Sequence, residues 1–348
     1  MGRWLSIAML LAALSVLPLR ADEGRIPIYR SGTITAPGAY VLTRDISVTG
    51  GNAITIQASG VTLDLNGRAV SSSSSSGNLI QINDGAIDVT ILNGRLYGGN
   101  NGINYVTSSS NAMGPRIHGV DIQHLAGDGI YIAGAAYIEI SNCRIEWATR
   151  NGIYVSGAAA NWFTRNARIV DNDIISPGWN GIVLHQLQGG EVAGNMVTDH
   201  SWNMGNGSPG TGGVGILLSA NYESGGNLLE RNVISWARKP EAEGIRIEPL
   251  VHNNLVRANV AKNPGLWGVS VRSDNNRIVD NLIGAISSDG IRVEGSRNLI
   301  DHNTVGPGGL CGINFINGNF HAYRDNFVRT GGPPLCGSSN TDGGGNIF

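Results

Sequence analysis

The sequence predicts an all-β protein, a solenoid of the parallel β-helix kind, and three observations carry that prediction. The first is a phrase, Gly-Ile-x-Val, with clear copies at Asp128-Gly129-Ile130-Tyr131-Ile132, Asn151-Gly152-Ile153-Tyr154-Val155 and Asn180-Gly181-Ile182-Val183-Leu184. Further copies open at Gly215, Gly244, Gly268, Gly290 and Gly312, and a weaker one at Gly102, so successive glycines lie 27, 23, 29, 34, 29, 24, 22 and 22 residues apart. Self-similarity at a period of roughly 20–50 residues marks solenoids and other repeat folds. The second is an asparagine-rich phrase that falls between these copies, clean at Asn276-Arg277-Ile278-Val279-Asp280-Asn281 and Asn298-Leu299-Ile300-Asp301-His302-Asn303. The third is composition. Glycine occurs 51 times and charged residues are only 14%, which suits short strands joined by tight turns.

Taken in order, the chain opens on Arg3, an almost wholly apolar run from Leu5 to Leu17, and Pro18-Leu19-Arg20-Ala21 as a cleavage region. Residues 1–21 therefore read as an export signal, and the mature protein as secreted or periplasmic, off the membrane after processing. A retained anchor is the alternative, although the run is shorter than the roughly 18 residues that a span needs. Residues 22–40 read as a cap over the first coil, where open strand edges need cover, and 41–348 as the solenoid. Ser71 to Ser76 reads as a low-complexity loop, and Gly343-Gly344-Gly345-Asn346 as a terminal turn.

Within each phrase the alternation of apolar and variable residues fits a half-buried strand. Ile130 and Ile132 should point inward and Tyr131 outward; the same holds for Ile245 and Ile247 around Arg246, and for Ile291 and Val293 around Arg292. The leading glycine fits a sharp turn in which a side chain would be crowded. The asparagines Asn142, Asn172, Asn195, Asn232, Asn259, Asn281, Asn303 and Asn326 should form a column in another turn, each amide bonding to the coils above and below. Cys311 and Cys336, one coil apart, are expected to pair in an oxidising compartment, leaving Cys143 a buried thiol.

These phrases, with the opening segments Gly38-Ala39-Tyr40-Val41-Leu42-Thr43-Arg44-Asp45-Ile46 and Val61-Thr62-Leu63-Asp64-Leu65-Asn66-Gly67, resemble the right-handed parallel β-helix superfamily typified by pectate lyases. The chain looks closest to bacterial secreted proteins with parallel β-helix repeats, over roughly Val41 to Asn346. The resemblance implies the fold and leaves the reaction open.

Net charge is −2, which gives no electrostatic reason to capture nucleic acid. A monomer acting on a polysaccharide is the expectation. Stacked coils align equivalent residues into columns. The residue four after each phrase glycine reads Ala133, Ser156, His185, Ser219, Glu248, Arg272, Glu294, Ile316, and the residue two after reads Tyr131, Tyr154, Val183, Leu217, Arg246, Ser270, Arg292, Asn314. Charge concentrates from Arg246 to Glu294. A surface salt-bridge ladder of modest worth is one reading of that patch, and a catalytic or substrate-binding surface is the other.

On the second reading, Arg246, Arg272 and Arg292 would clamp a uronate carboxylate, and Glu243, Glu248 and Glu294 would hold Ca²⁺. His185 or His200 would be a less demanding base than arginine. Trp147, Trp179, Trp202, Trp236 and Trp267 precede phrase strands and would supply sugar-stacking faces, whereas Trp162 sits in an insertion. The longest insertion runs from Thr198 to Gly213 and could bring Asp199 and His200 near His185. Three reactions fit such a fold: lyase β-elimination on an acidic polysaccharide, hydrolysis and C5 epimerisation. Asp171 and Asp173, the local carboxyl pair, read as turn residues. The full Asn-Thr-Asp, Asp-Asp, His-Gly and Arg-x-Lys set of the polygalacturonases is not found, since the chain has no Asp-Asp and no Arg-x-Lys, and the Asp-Pro-His of alginate epimerases is absent. Lyase chemistry leads, and a non-catalytic glycan-binding or scaffold role stands beside it.

Overall fold

The computed structural model describes residues 24–109, 112–157, 164–203, 212–337 and 340–348. Among them the chain forms short strands and turns and no helix. The export-signal reading, Trp162 and part of the long insertion lie outside the described residues.

The phrase strands build one wall, a 13-stranded sheet from Gly32–Ile34 to Leu335–Cys336. Its neighbours run parallel and in register: Ile130 faces Ile153, Ile182 follows, then Ile216 and Ile245. These isoleucines are completely buried, as the alternation predicts. A 24-stranded sheet supplies two more walls, fused where the ten-residue strands Val89–Gly98 and Arg116–Leu125 run through the corner between them. In later coils that corner is cut by an asparagine turn, as between Glu139–Ser141 and Arg144–Ala148. The apolar core fills the space between the walls from Ile34 to Val328.

The segment read as a cap is already a coil. Ile26–Ile28 pairs with Tyr40–Leu42, and Gly32–Ile34 pairs with Ile54–Ile56. The solenoid therefore begins before Val41. The serine run is also partly strand, since Ala69–Ser72 pairs with Ile46–Val48.

Crowding explains the phrase glycines, but the turn does not, since none of the eight from Gly129 to Gly312 has positive φ. A Cβ on Gly129 would lie 2.4 Å from the carbonyl oxygen of Gly152 and 2.5 Å from Ile145 Cγ2. Each of the eight lets the next coil's backbone close in, and all but Gly244 also admit a branched core side chain.

The asparagine column forms from Asn172 onward. Nδ2 of Asn232 donates to Oδ1 of Asn259 (2.9 Å), and the next links, Asn259 to Asn281 and Asn281 to Asn303, repeat at 3.0 and 2.9 Å. Asn142 stands outside it, exposed, with φ 52°. Cys143 occupies that step instead, donating its backbone N–H to Asn172 Oδ1 at 3.0 Å. Its thiol is free and buried, and burial pushes its pKa up to about 11.

A second column, Asn227, Asn254, Asn276 and Asn298, runs parallel. A third, from Asn101 through Asp128 and Asn151 to Asn180, occupies the residue before the phrase glycine. Cys311 and Cys336 are joined in a disulfide, linking the last two phrase strands.

Candidate functional site

The third amide column stops at Asn180, which accepts from Val214 N–H at 2.7 Å. In the next coils the same position before the glycine holds Glu243, Trp267 and Asp289, paired in register as Glu243 with Trp267 and Asp289 with Cys311. A charged cluster grows there. Glu243 is fully buried and takes Nε of Arg246 at 2.8 Å, with a second bond from Nη2. Arg246 reaches Glu248 at 3.4 Å, and Arg272 bonds both oxygens of Glu248 at 3.3 and 3.2 Å. Arg292 donates to Glu294 at 2.7 Å and lies 3.6 Å from Asp289. Trp267 underlies both outer arginines, whose guanidinium carbons sit 5.7 Å (Arg272) and 4.4 Å (Arg292) from its ring centre, within cation–π range.

Arg246, Glu248 and Arg272 thus form one network with Glu243, and Arg292, Glu294 and Asp289 form a second that meets it across the Trp267 ring. The patch is not wholly solvent-facing, however, because only 7% of the Arg246 side chain is exposed. Arg272, Glu248, Arg292 and Glu294 show 22–26% of their side chains to solvent. Burial pushes the carboxyl groups of Glu243 and Asp289 up, against the pull of their arginine and amide partners. Within the cluster, three buried polar atoms have no hydrogen-bond partner: Trp267 Nε1 and Ser270 Oγ on one strand, and Arg272 Nε just after it.

Glu243, Glu248 and Glu294, the carboxylates expected to hold Ca²⁺, are each bound to a guanidinium, which competes with a cation for their oxygens. Among the described residues, the group with metal-ligand spacing is Asp301, His302 and Asp325, and Arg324 and His302 already occupy Asp301.

His200 is not an accessible base. It is buried, its Nε2 lies 3.2 Å from the Glu243 carbonyl, and burial lowers its pKa to about 4. Asp199 does not approach His185; it holds Arg238 and accepts from Ser176 Oγ at 2.7 Å. His185 is half-buried against Ser219 Oγ (3.0 Å), and burial lowers its pKa. It lies three coils before Arg272 in the same column, on the order of 14 Å at ~4.8 Å per coil, too far to serve one sugar ring with it.

The tryptophans divide. Trp267 is a buried floor, and Trp179 lies under Arg150 at 4.8 Å. Trp147 and Trp202 meet edge to face at 6.0 Å, and Trp236 is exposed at a corner. Asp171, with φ 54°, is a turn residue as expected, while Asp173 begins a strand.

Sequence reasoning missed Asp289 and the buried Glu243–Arg246 pair. The signal was one residue before the phrase glycine, where Asp128, Asn151 and Asn180 give way to Glu243 and Asp289.

Fold and site together define a parallel β-solenoid carrying a charged cluster on one wall. The chain belongs to the right-handed β-helix family, whose model matches residues 101–270 and again 167–329. Among solved structures it is similar to the catalytic domain of an α-1,3-glucanase in complex with nigerose, with 11% identity and a TM-score of 0.57 over 93% of this chain and 64% of that one. The Dettilon tailspike protein matches at 15% identity and 0.54, over 91% and 62%. A lacto-N-biosidase from Eubacterium ramulus matches at 14% and 0.52, over 87% and 62%. The chain therefore spans less than two thirds of the length of each, and the likeness is one of fold. Among curated proteins, no sequence matches the chain.

Proposed function

We propose that the protein is a glycan-active β-helix that takes an acidic polysaccharide along its phrase wall and cleaves it by β-elimination at the Glu243–Glu294 cluster. One observation carries the reading: Arg272 and Arg292 stack over Trp267 beside Arg246, and Trp267 Nε1, Ser270 Oγ and Arg272 Nε are left without partners among them. Buried polar atoms normally find partners, and a substrate carboxylate that displaces Glu248 would bring an acceptor to the Arg272 guanidinium. In this scheme the substrate carboxylate replaces Glu248 on Arg272, and the arginine stabilises the charge that develops as the α-proton leaves. The freed Glu248 takes that proton from C5, the C4–O bond breaks, a C4–C5 double bond forms, and the proton passes to the departing oxygen. The α-1,3-glucanase and lacto-N-biosidase that share the fold are glycan enzymes by name, which supports a glycan as substrate but neither its acidity nor the reaction.

One observation favours a second reading. Arg246, Arg272 and Arg292 face Glu243, Glu248, Asp289 and Glu294, so the cluster carries no surplus positive charge. That balance suits a binding surface for neutral glycans or a hydrolase.

The test incubates the protein with alginate, polygalacturonate and hyaluronan, with and without Ca²⁺, and follows the absorbance of unsaturated products. β-Elimination predicts a signal that drops about 100-fold in Arg272→Ala and in Glu248→Gln. Reducing ends without unsaturation would mean hydrolysis, and glycan retention without any product would mean a binding module.

A further inference from the structure

The corner that leads from the third wall into the phrase strands carries its own column. Its backbone is left-handed in coil after coil, with positive φ at Gly98, Ser176, Asp199 and Asn263, which stand in register through the flanking strands. Glycine, asparagine and aspartate accept that conformation readily. His124, Trp147 and Trp236 occupy the same column, each with φ 56°. An indole fits such a backbone poorly, and burial does not explain the ring at His124, which is exposed, or Trp236, 63% exposed, while Trp147 is half-buried.

These rings extend into a row. Tyr97 lies 5.1 Å from His124, and His124 is parallel to Trp147 at 6.4 Å. Trp202, from the start of the long insertion, leans on Trp147 at 60°, its Nε1–H fixed by the Ser176 carbonyl at 2.7 Å. Between the two indoles and Leu125, Ala126 and Thr149 is a cavity of about 310 Å³, at the small end of ligand pockets.

We propose that this notch holds one neutral sugar ring of a glycan, as a binding subsite distinct from the charged cluster; that the ligand is a glycan rests on the function proposed above. The indole faces offer the electron-rich surface on which the apolar C–H face of a pyranose packs. Arg238, 5.8 Å from the Trp147 ring, is neutralised by Asp199. The notch thus presents a polar rim without net charge, unsuited to a phosphate or a carboxylate.

The full chain is titrated with cellohexaose, laminarihexaose, mannohexaose and chitohexaose while tryptophan fluorescence is followed. At least one should bind, and Trp147→Asn should weaken it tenfold or more with an unchanged or higher melting temperature, since asparagine suits the left-handed backbone. Ala126→Phe, which fills the notch and removes no ring, should cause the same loss. Arg272→Ala should leave this affinity unchanged, whatever it does to turnover, so that a failure of the reaction proposed for the cluster is separable. No binding by any of the four at millimolar concentration, or wild-type affinity in either notch variant, overturns the subsite.

Discussion

Among the described residues, Nδ1 of His200 has no hydrogen-bond partner, and its Nε2 has only the Glu243 carbonyl. Burial therefore keeps the ring neutral, with its pKa lowered from 6.5 to about 4. The unfolded chain takes up this proton near pH 6.5 and the folded chain only near 4. Stability from this residue is thus fully present above pH 6.5 and is lost as pH falls toward 4, by about 3 kcal/mol in all. His200→Leu removes the titrating group. Urea unfolding at pH 7.5 and 4.5 should show the wild type losing about that much more stability than the variant; equal losses would refute the assignment. A sequence shows a histidine in a loop and suggests a base. It does not show that the following backbone folds the ring under Glu243.

The strand and its leading glycine are the unit at the next scale. A Cβ on Gly268 would sit 2.2 Å from Ile283 Cγ2 and 2.7 Å from the Gly290 carbonyl oxygen. Gly268→Ala should then cost about 2 kcal/mol through overpacking. Gly284→Ala, where a Cβ meets nothing within 4 Å, should shift stability by less than about 0.5 kcal/mol. Thermal melts of the two variants decide it, and similar effects would show that the crowding is relieved elsewhere. The phrase was legible because period-2 alternation and crowding act locally, and the columns of Arg246 and Glu248 followed from register alone. The Glu243–Arg246 pair was less visible, because its burial depends on how the side chains fold back over Trp267. His124 as a partner of Trp147, and Tyr97 beside His124, were invisible, since a corner's handedness has no periodic signature.

At the scale of the molecule, each coil touches only its neighbours, so damage should stay local. The Cys311–Cys336 disulfide spans 25 residues and ties the last two phrase strands. Replacing both cysteines by serine should cost about 3 kcal/mol, felt as faster hydrogen exchange after Cys311 with Ile130–Ala133 protected as before. Uniform loss of protection would show a single cooperative unit instead. The amide column that runs from Asn172 to Asn346 has a direction as well as a register. Each Nδ2 points toward the C-terminal end and each Oδ1 toward the N-terminal end, so the amide dipoles add head to tail and polarise one another, as peptide units do in a helix. Both poles are closed by the right chemistry. The oxygen end at Asn172 meets the Cys143 N–H, and the nitrogen end at Asn346 meets the Asp342 carboxylate at 2.7 Å. A β-solenoid with no helix among its described residues thus carries an axial electrostatic spine, and Asp342 caps its positive end as an acidic side chain caps a helix N-terminus.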